Sequence, residues 1–168
     1  MEVLKFVIEY GADLNANHPL MNDRHRRKGE CLSNTPLDCA ARSGTPKIIQ
    51  LLLENGAILE RSAAVHSAAG SRSSGDNMRR LRNVEFLLDL GMDVNRIESE
   101  GDPDFYERYR NFNFATPLHY AAYWNKLETV QYLLERGANK NVLSTKGESA
   151  LEWASGNRNK ELIELLSS

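Results

Sequence analysis

Four histidines and two cysteines are the residues of this chain that could ligate a metal or carry out nucleophilic chemistry. His18 and His25 lie seven residues apart in a polar stretch, with Cys31 close by. Zinc sites are assembled from close ligand pairs, and no second pair follows, so no metal is expected there. Cys39, within LDCAA, reads as the small buried residue of a helix, and no base is placed to activate it. The acidic string GDPDFYE lacks the ligand spacing of a calcium-binding loop. Neither of the glycine-rich loops that cradle phosphates occurs. The chain therefore reads as non-enzymatic, with no catalytic residues and no cofactor.

Charge and hydropathy narrow the class further. With 168 residues, 26% of them charged, and a net charge of −2, the chain has no overall pull toward nucleic acid. Basic clusters do occur at Arg24–Lys28 (RHRRK) and Arg79–Arg82 (RRLR), and acids elsewhere offset them. A solvated-loop role is preferred to a polyanion site, so nucleic acid is a disfavoured partner. No apolar run approaches the ~20 residues of a membrane span, and the N-terminus MEVLKFVIEY lacks a cleavage pattern. With two cysteines and no framework spacing, the expected setting is intracellular, cytoplasmic or nuclear.

The elements that would position these residues emerge from internal repetition. Asn34–Ala57 reads NTPLDCAARSGTPKIIQLLLENGA, Ala115–Ala138 reads ATPLHYAAYWNKLETVQYLLERGA, and Glu148–Ser167 reads ESALEWASGNRNKELIELLS. Thr116 and Ser149 are 33 residues apart, and in each copy the opening Leu precedes a second-helix Leu by 15: Leu37–Leu52, Leu118–Leu133, Leu151–Leu166. Thr35 and Thr116 are good N-caps, with Pro36 and Pro117 at the first helical position. Ser149 with Glu152 spells a capping box. The pairs Ala40/Ala41, Ala68/Ala69 and Ala121/Ala122 allow close helix packing, and Ile48, Ile49, Leu52 and Leu53 follow at helical spacing. Gly11, Gly56, Gly91 and Gly137 then end the second helices.

TPLHYAA and LLERGANKN, in this frame, resemble the ankyrin-repeat family over nearly the whole chain. The resemblance implies an all-α helical solenoid of one half repeat plus four repeats. The segments are about 1–15, 34–60, 61–96, 115–142 and 147–168, in one domain over 1–168. His66 and His119 hold the fourth position of the opening motif, where the family's imidazole hydrogen-bonds neighbouring backbone. Asp38 and Glu152 replace it in the other copies, which argues against a shared ligand role.

The spacing departs from the family's. The interval from helix-ending Gly to the next cap is 12 residues for Gly137–Ser149, but 24 for Gly11–Thr35, 25 for Gly91–Thr116 and 7 for Gly56–Ala63. Insertions thus fall at about 16–33 and 97–114, in the hairpin fingers. A third, at about 70–82, is read as a Gly/Ser-rich linker between two helices. Phe105, Tyr106, Tyr109, Phe112 and Phe114 in the second of these either fold back on the stack or form a contact surface.

The function implied is binding to another protein, as a scaffold or adaptor; the alternative is the targeting or regulatory part of a larger enzyme or receptor. Family partners contact the finger tips and outward positions of the first helices. Those positions here are Asn34, Arg42, Ser43, Phe112, Asn113, Tyr123, Trp124, Thr145 and Lys146, with Tyr123 and Trp124 as the aromatic anchors. For that aromatic pair, supporting the neighbouring insertion is the competing role. The half repeat at the start, VLKFVIEY, is expected to be weakly held and to offer a surface for self-association.

Overall fold

A computed structural model describes residues 2–17, 28–70 and 76–168. Among the described residues there are α-helices and one 3-10 turn, and no strand. The all-α solenoid expected from the repeats is what forms. Helix α1 (Glu2–Glu9) is the half repeat. Four helix pairs follow: α2 (Pro36–Ser43) with α3 (Pro46–Glu54), α4 (Ala64–Ala69) with α5 (Asn77–Asp89), α7 (Pro117–Tyr123) with α8 (Leu127–Glu135), and α9 (Ala150–Ala154) with α10 (Lys160–Ser167). Between the second and third pairs the insertion contributes α6 (Pro103–Arg108). First helices stack as a row, α2 on α4 on α7 on α9, and second helices stack behind them, α3 on α5 on α8 on α10.

Small residues make this stacking close. Ala41, Ala121, Ala122 and Ala154 have no exposed surface at all, and the opening leucines Leu37 and Leu118 insert beside them. Second helices close the core with Ile49, Leu52, Val84, Leu87, Val130, Leu133 and Leu162. None of these short helices could bury its apolar stripe alone, so each depends on its neighbours. Gly137 leaves α8 with φ +88°, a backbone that any β-carbon would strain.

Side chains stitch successive fingers together. Asn15 donates to the Gly56 carbonyl at 3.0 Å and accepts from the Ile58 amide at 2.7 Å. Asn95 repeats the device on Gly137 and Asn139, at 3.3 and 2.7 Å. The fourth motif position performs the same task from the helix side. His66 Nε2 donates to the Arg96 carbonyl at 2.9 Å and His119 Nε2 to the Glu148 carbonyl at 3.0 Å. Asp38 reaches forward with the opposite polarity, accepting from the Ala63 amide at 2.8 Å. Thr116 does not cap α7 through its hydroxyl, which instead pairs with His119 Nδ1 at 2.8 Å. Thr35 and Ser149 do cap, each within a capping box.

Two expectations need correction. Cys39 is exposed, because Leu37, Asp38, Ala40 and Ala41 take the buried face of α2; Cys31 is the buried thiol. The stretch read as a linker is partly helix. Asp76 caps α5 at the Arg79 amide, and α5 runs for 13 residues, against 9 for α3 and α8, so residues 77–82 of that stretch are helical. His18 and His25 lie outside the described residues, as do residues 71–75.

Candidate partner-binding surface

The insertion before α6 folds onto the stack through one buried carboxylate. Glu98 has no solvent exposure. It accepts from the Leu32 amide at 2.5 Å, the Ser33 amide at 3.0 Å and the Cys31 thiol at 3.1 Å, and from the Tyr120 hydroxyl of α7. Burial, then the neighbouring Glu98 and Asp38 charges, push the Cys31 thiol well up, so it stays a donor. Phe105 and Phe114 are buried against Leu32, and Ile97, Tyr106, Tyr109 and Phe112 pack around them. Of the two readings open for this aromatic run, it folds back.

The end of the first insertion crosses the row of first helices. From Ser33, beside α2, the chain runs back past Glu98 and α7 to the finger before α9. Lys28 Nζ there meets Glu148 Oε1 at 2.9 Å and lies 5.2 Å from the centre of the Trp153 ring. The Gly29 carbonyl accepts from Trp124 Nε1 at 2.6 Å. Tyr123 lies so close that a β-carbon on Gly29, whose φ is +81°, would fall 2.0 Å from its ring.

Tyr123 and Trp124 are therefore half-buried, their rings in edge contact at 5.1 Å, with the Lys28–Gly29 turn seated on them. The finger candidates form one cluster beside them. Asn113 donates to Glu148 Oε2 at 2.6 Å and accepts from the Lys146 amide at 3.3 Å. Thr145 accepts from the Phe114 amide at 2.9 Å and donates to the Phe112 carbonyl at 3.3 Å. Thr145 and Lys146 stay exposed; Phe112 and Asn113 are half-buried. Next to them is a concavity of about 320 Å³ lined by Ile97, Glu100, Pro103, Tyr106, Glu107 and Thr145.

Asn34 and Arg42 form a separate patch, the Arg42 guanidinium donating to Asn34 Oδ1 at 2.6 Å. Ser43 is exposed, but its carbonyl is taken by Arg79. The RRLR cluster is not a free basic patch, since Arg80 is buried as well. Of RHRRK only Lys28 is described, in its pair with Glu148.

Glu98, Glu148, Gly29 and Trp153 organise this surface, and none stood out in the sequence. Glu98 sits in an acidic run that reads as solvated, and Trp153 in a helix that reads as ordinary core. In the fold the Glu148 carboxyl lies below the ordinary carboxylate range, through the Lys28 hydrogen bond first and those of Trp153 and Asn113 after it. Among the described residues no group of three His, Cys, Asp or Glu is placed to hold a metal, and no helix is long and apolar enough to cross a membrane.

Known proteins share this pattern. A family profile described as "Ankyrin repeats (3 copies)" matches residues 97–168, and one described as "Ankyrin repeat" matches residues 32–61. Mouse Rabankyrin-5 is 40% identical over 81 residues, 48% of this chain and 7% of that protein. The putative ankyrin repeat protein FPV031 of fowlpox virus is 25% identical over 171 residues, 99% of this chain and 43% of its own length. Palmitoyltransferase AKR1 of Lachancea kluyveri is 28% identical over 155 residues, 88% of this chain and 18% of that enzyme. The chain thus spans less than half the length of each of these relatives.

Proposed function

The chain belongs to the ankyrin-repeat family, and from that premise we propose that it is a non-enzymatic protein-binding adaptor or scaffold acting inside the cell, in cytoplasm or nucleus. The partner binds across the finger tips and the row of first helices. The observation that carries this reading is the cluster of Asn113, Thr145 and Lys146 beside Tyr123 and Trp124, with an apolar concavity at its edge. Such a surface combines aromatic anchors with a polar rim, the composition of interface hot spots. Its backbone is held by cross-finger hydrogen bonds such as Thr145 to Phe114, 2.8 Å, so little ordering is lost on binding. Asn34, Arg42 and Ser43 lie at the other end of the same row and would extend the contact.

A photo-crosslinker placed in turn at Lys146 and at Glu128, on the exposed side of α8, tests this in cells. Capture of a common protein from Lys146 and not from Glu128 is expected; the reverse pattern overturns it. A second reading has support in the match to a palmitoyltransferase over 88% of this chain. In it these repeats target or regulate a catalytic part elsewhere in a longer protein. A Lys146→Glu change that alters turnover of such a natural full-length chain would favour it.

A further inference from the structure

Two adjacent residues of the first insertion sit in a site with chemically distinct halves. The first half is a cation site. Lys28 places its ammonium 2.9 Å from Glu148 Oε1 and over the Trp153 ring. Glu148 does not depend on that ammonium for its position. Its other oxygen accepts from Asn113 Nδ2 at 2.6 Å and Trp153 Nε1 at 2.8 Å, so the carboxylate is aimed in advance. The second half is a slot. The Trp124 indole donates into it at 2.6 Å, and the Tyr123 ring fills the space of any side chain, so only glycine at positive φ enters. An anion with an aromatic ring, then a glycine-only slot carrying a carbonyl acceptor's partner, reads a lysine followed directly by a glycine.

The occupant is attached where it can be exchanged. Lys28 and Glu148 side chains keep 40% and 36% of their surface in solvent. The firm anchor of this segment lies further on, where the Leu32 and Ser33 amides bind the buried Glu98. That anchor makes no use of residues 28 and 29.

We propose that Tyr123, Trp124, Glu148 and Trp153 form a receptor for a lysine–glycine turn of a partner polypeptide, occupied in this structure by the chain's own Lys28–Gly29 as an intramolecular competitor. This deepens the adaptor reading and rests on it. A tethered competitor acts at an effective concentration on the order of millimolar, so a partner engages fully only when the internal turn is displaced.

The two tryptophans give two indole N–H resonances, both hydrogen-bonded at this site. The probe is the capped peptide Ala-Lys-Gly-Glu-Ala, titrated into the wild-type chain and into Lys28→Glu/Gly29→Ala while both indoles are followed by NMR. Removing the competitor should tighten the apparent Kd at least about tenfold. A peptide with valine for glycine should not bind. A folded double variant whose indoles ignore the peptide overturns the proposal. If the double variant does not fold, Lys28→Ala alone should speed solvent exchange of the Trp124 indole about threefold or more and admit the peptide. Unchanged exchange there overturns it equally. Loss of peptide binding with Lys146 crosslinking retained rejects the lysine–glycine site alone; loss of both rejects the adaptor surface as well.

Discussion

The carboxylate of Glu98, fully buried, accepts the backbone N–H of Ser33 at 3.0 Å across 65 residues of sequence. The same group also takes the Leu32 amide, the Cys31 thiol and the Tyr120 hydroxyl. Two finger insertions and one first helix thus share a single acceptor. Removing it would leave several buried donors without a partner, and each orphan costs about 1–3 kcal/mol. Glu98→Ala is expected to lower stability by at least about 3 kcal/mol in urea unfolding. Glu98→Gln should rescue little, because its amide nitrogen would face donors. A loss below about 1 kcal/mol for the alanine variant would show that the insertions are not held this way.

How much of this was legible depended on whether the cause was local. The repeat frame follows from short-range rules: Pro117 at a helix start, Gly137 at φ +88° at a helix end, leucines at fixed offsets. These act within a few residues and recur, so the solenoid could be read directly. Glu98 could not, because its burial is decided by amides 65 and 66 positions earlier. Tyr123 and Trp124 stood out as aromatic anchors for a partner, or as support for the neighbouring insertion, but nothing local names Gly29 as what sits on them. Cys39 was misplaced by one step of helical phase. Residues 77–82 were hidden by a Gly/Ser-rich neighbourhood that masks the start of a helix capped by Asp76.

His66 gives the stack a pH dependence. Burial lowers its pKa from 6.5 to about 4, with the Glu98 charge and the hydrogen bond to the Arg96 carbonyl opposing the shift and the Arg96 and His119 charges adding to it. Its Nε2 donates to the Arg96 carbonyl, and the ring is 1% exposed. Between those two pKa values the unfolded chain binds more protons than the folded one. The contribution of His66 is therefore complete above pH 6.5 and is lost as pH falls toward 4. Denaturant unfolding should show about 2 kcal/mol of this loss between roughly pH 7 and 5. His66→Gln, which keeps a donor and cannot titrate, should remove that part of the pH dependence. An identical slope in both proteins would contradict the assignment.

Leu118 opens the most regular repeat and is 1% exposed, at the junction of α7 with α4 and α9. Truncation leaves a cavity that short, mutually dependent helices cannot collapse around. Leu118→Ala is expected to cost about 2–5 kcal/mol. Glu135→Ala, at an exposed position on α8, should stay within about 0.5 kcal/mol. Parallel urea melts decide it, and similar losses for the two variants would mean that stability is not concentrated in the inter-repeat core.

Protection should fall off sharply at α1. Leu4 and Ile8 pack against the main core but are only half-buried, while Phe6 and Tyr10 are 55% and 78% exposed, their ring centres 4.3 Å apart. In α8, by contrast, Val130 and Leu133 have no exposed surface. The described side chains of α1 thus bury little apolar area, and an element so held opens at low free energy whatever the stability of the rest. Amides of residues 2–10 should therefore exchange at least about tenfold faster than those of residues 129–136 in a dilute sample. The exposed Phe6–Tyr10 pair adds a second expectation. If a second copy of the chain covers it, protection of residues 2–10 will rise with protein concentration while that of 129–136 stays constant. Equal protection of the two segments at every dilution would show that α1 is held as firmly as the central repeats, against the burial pattern of its side chains.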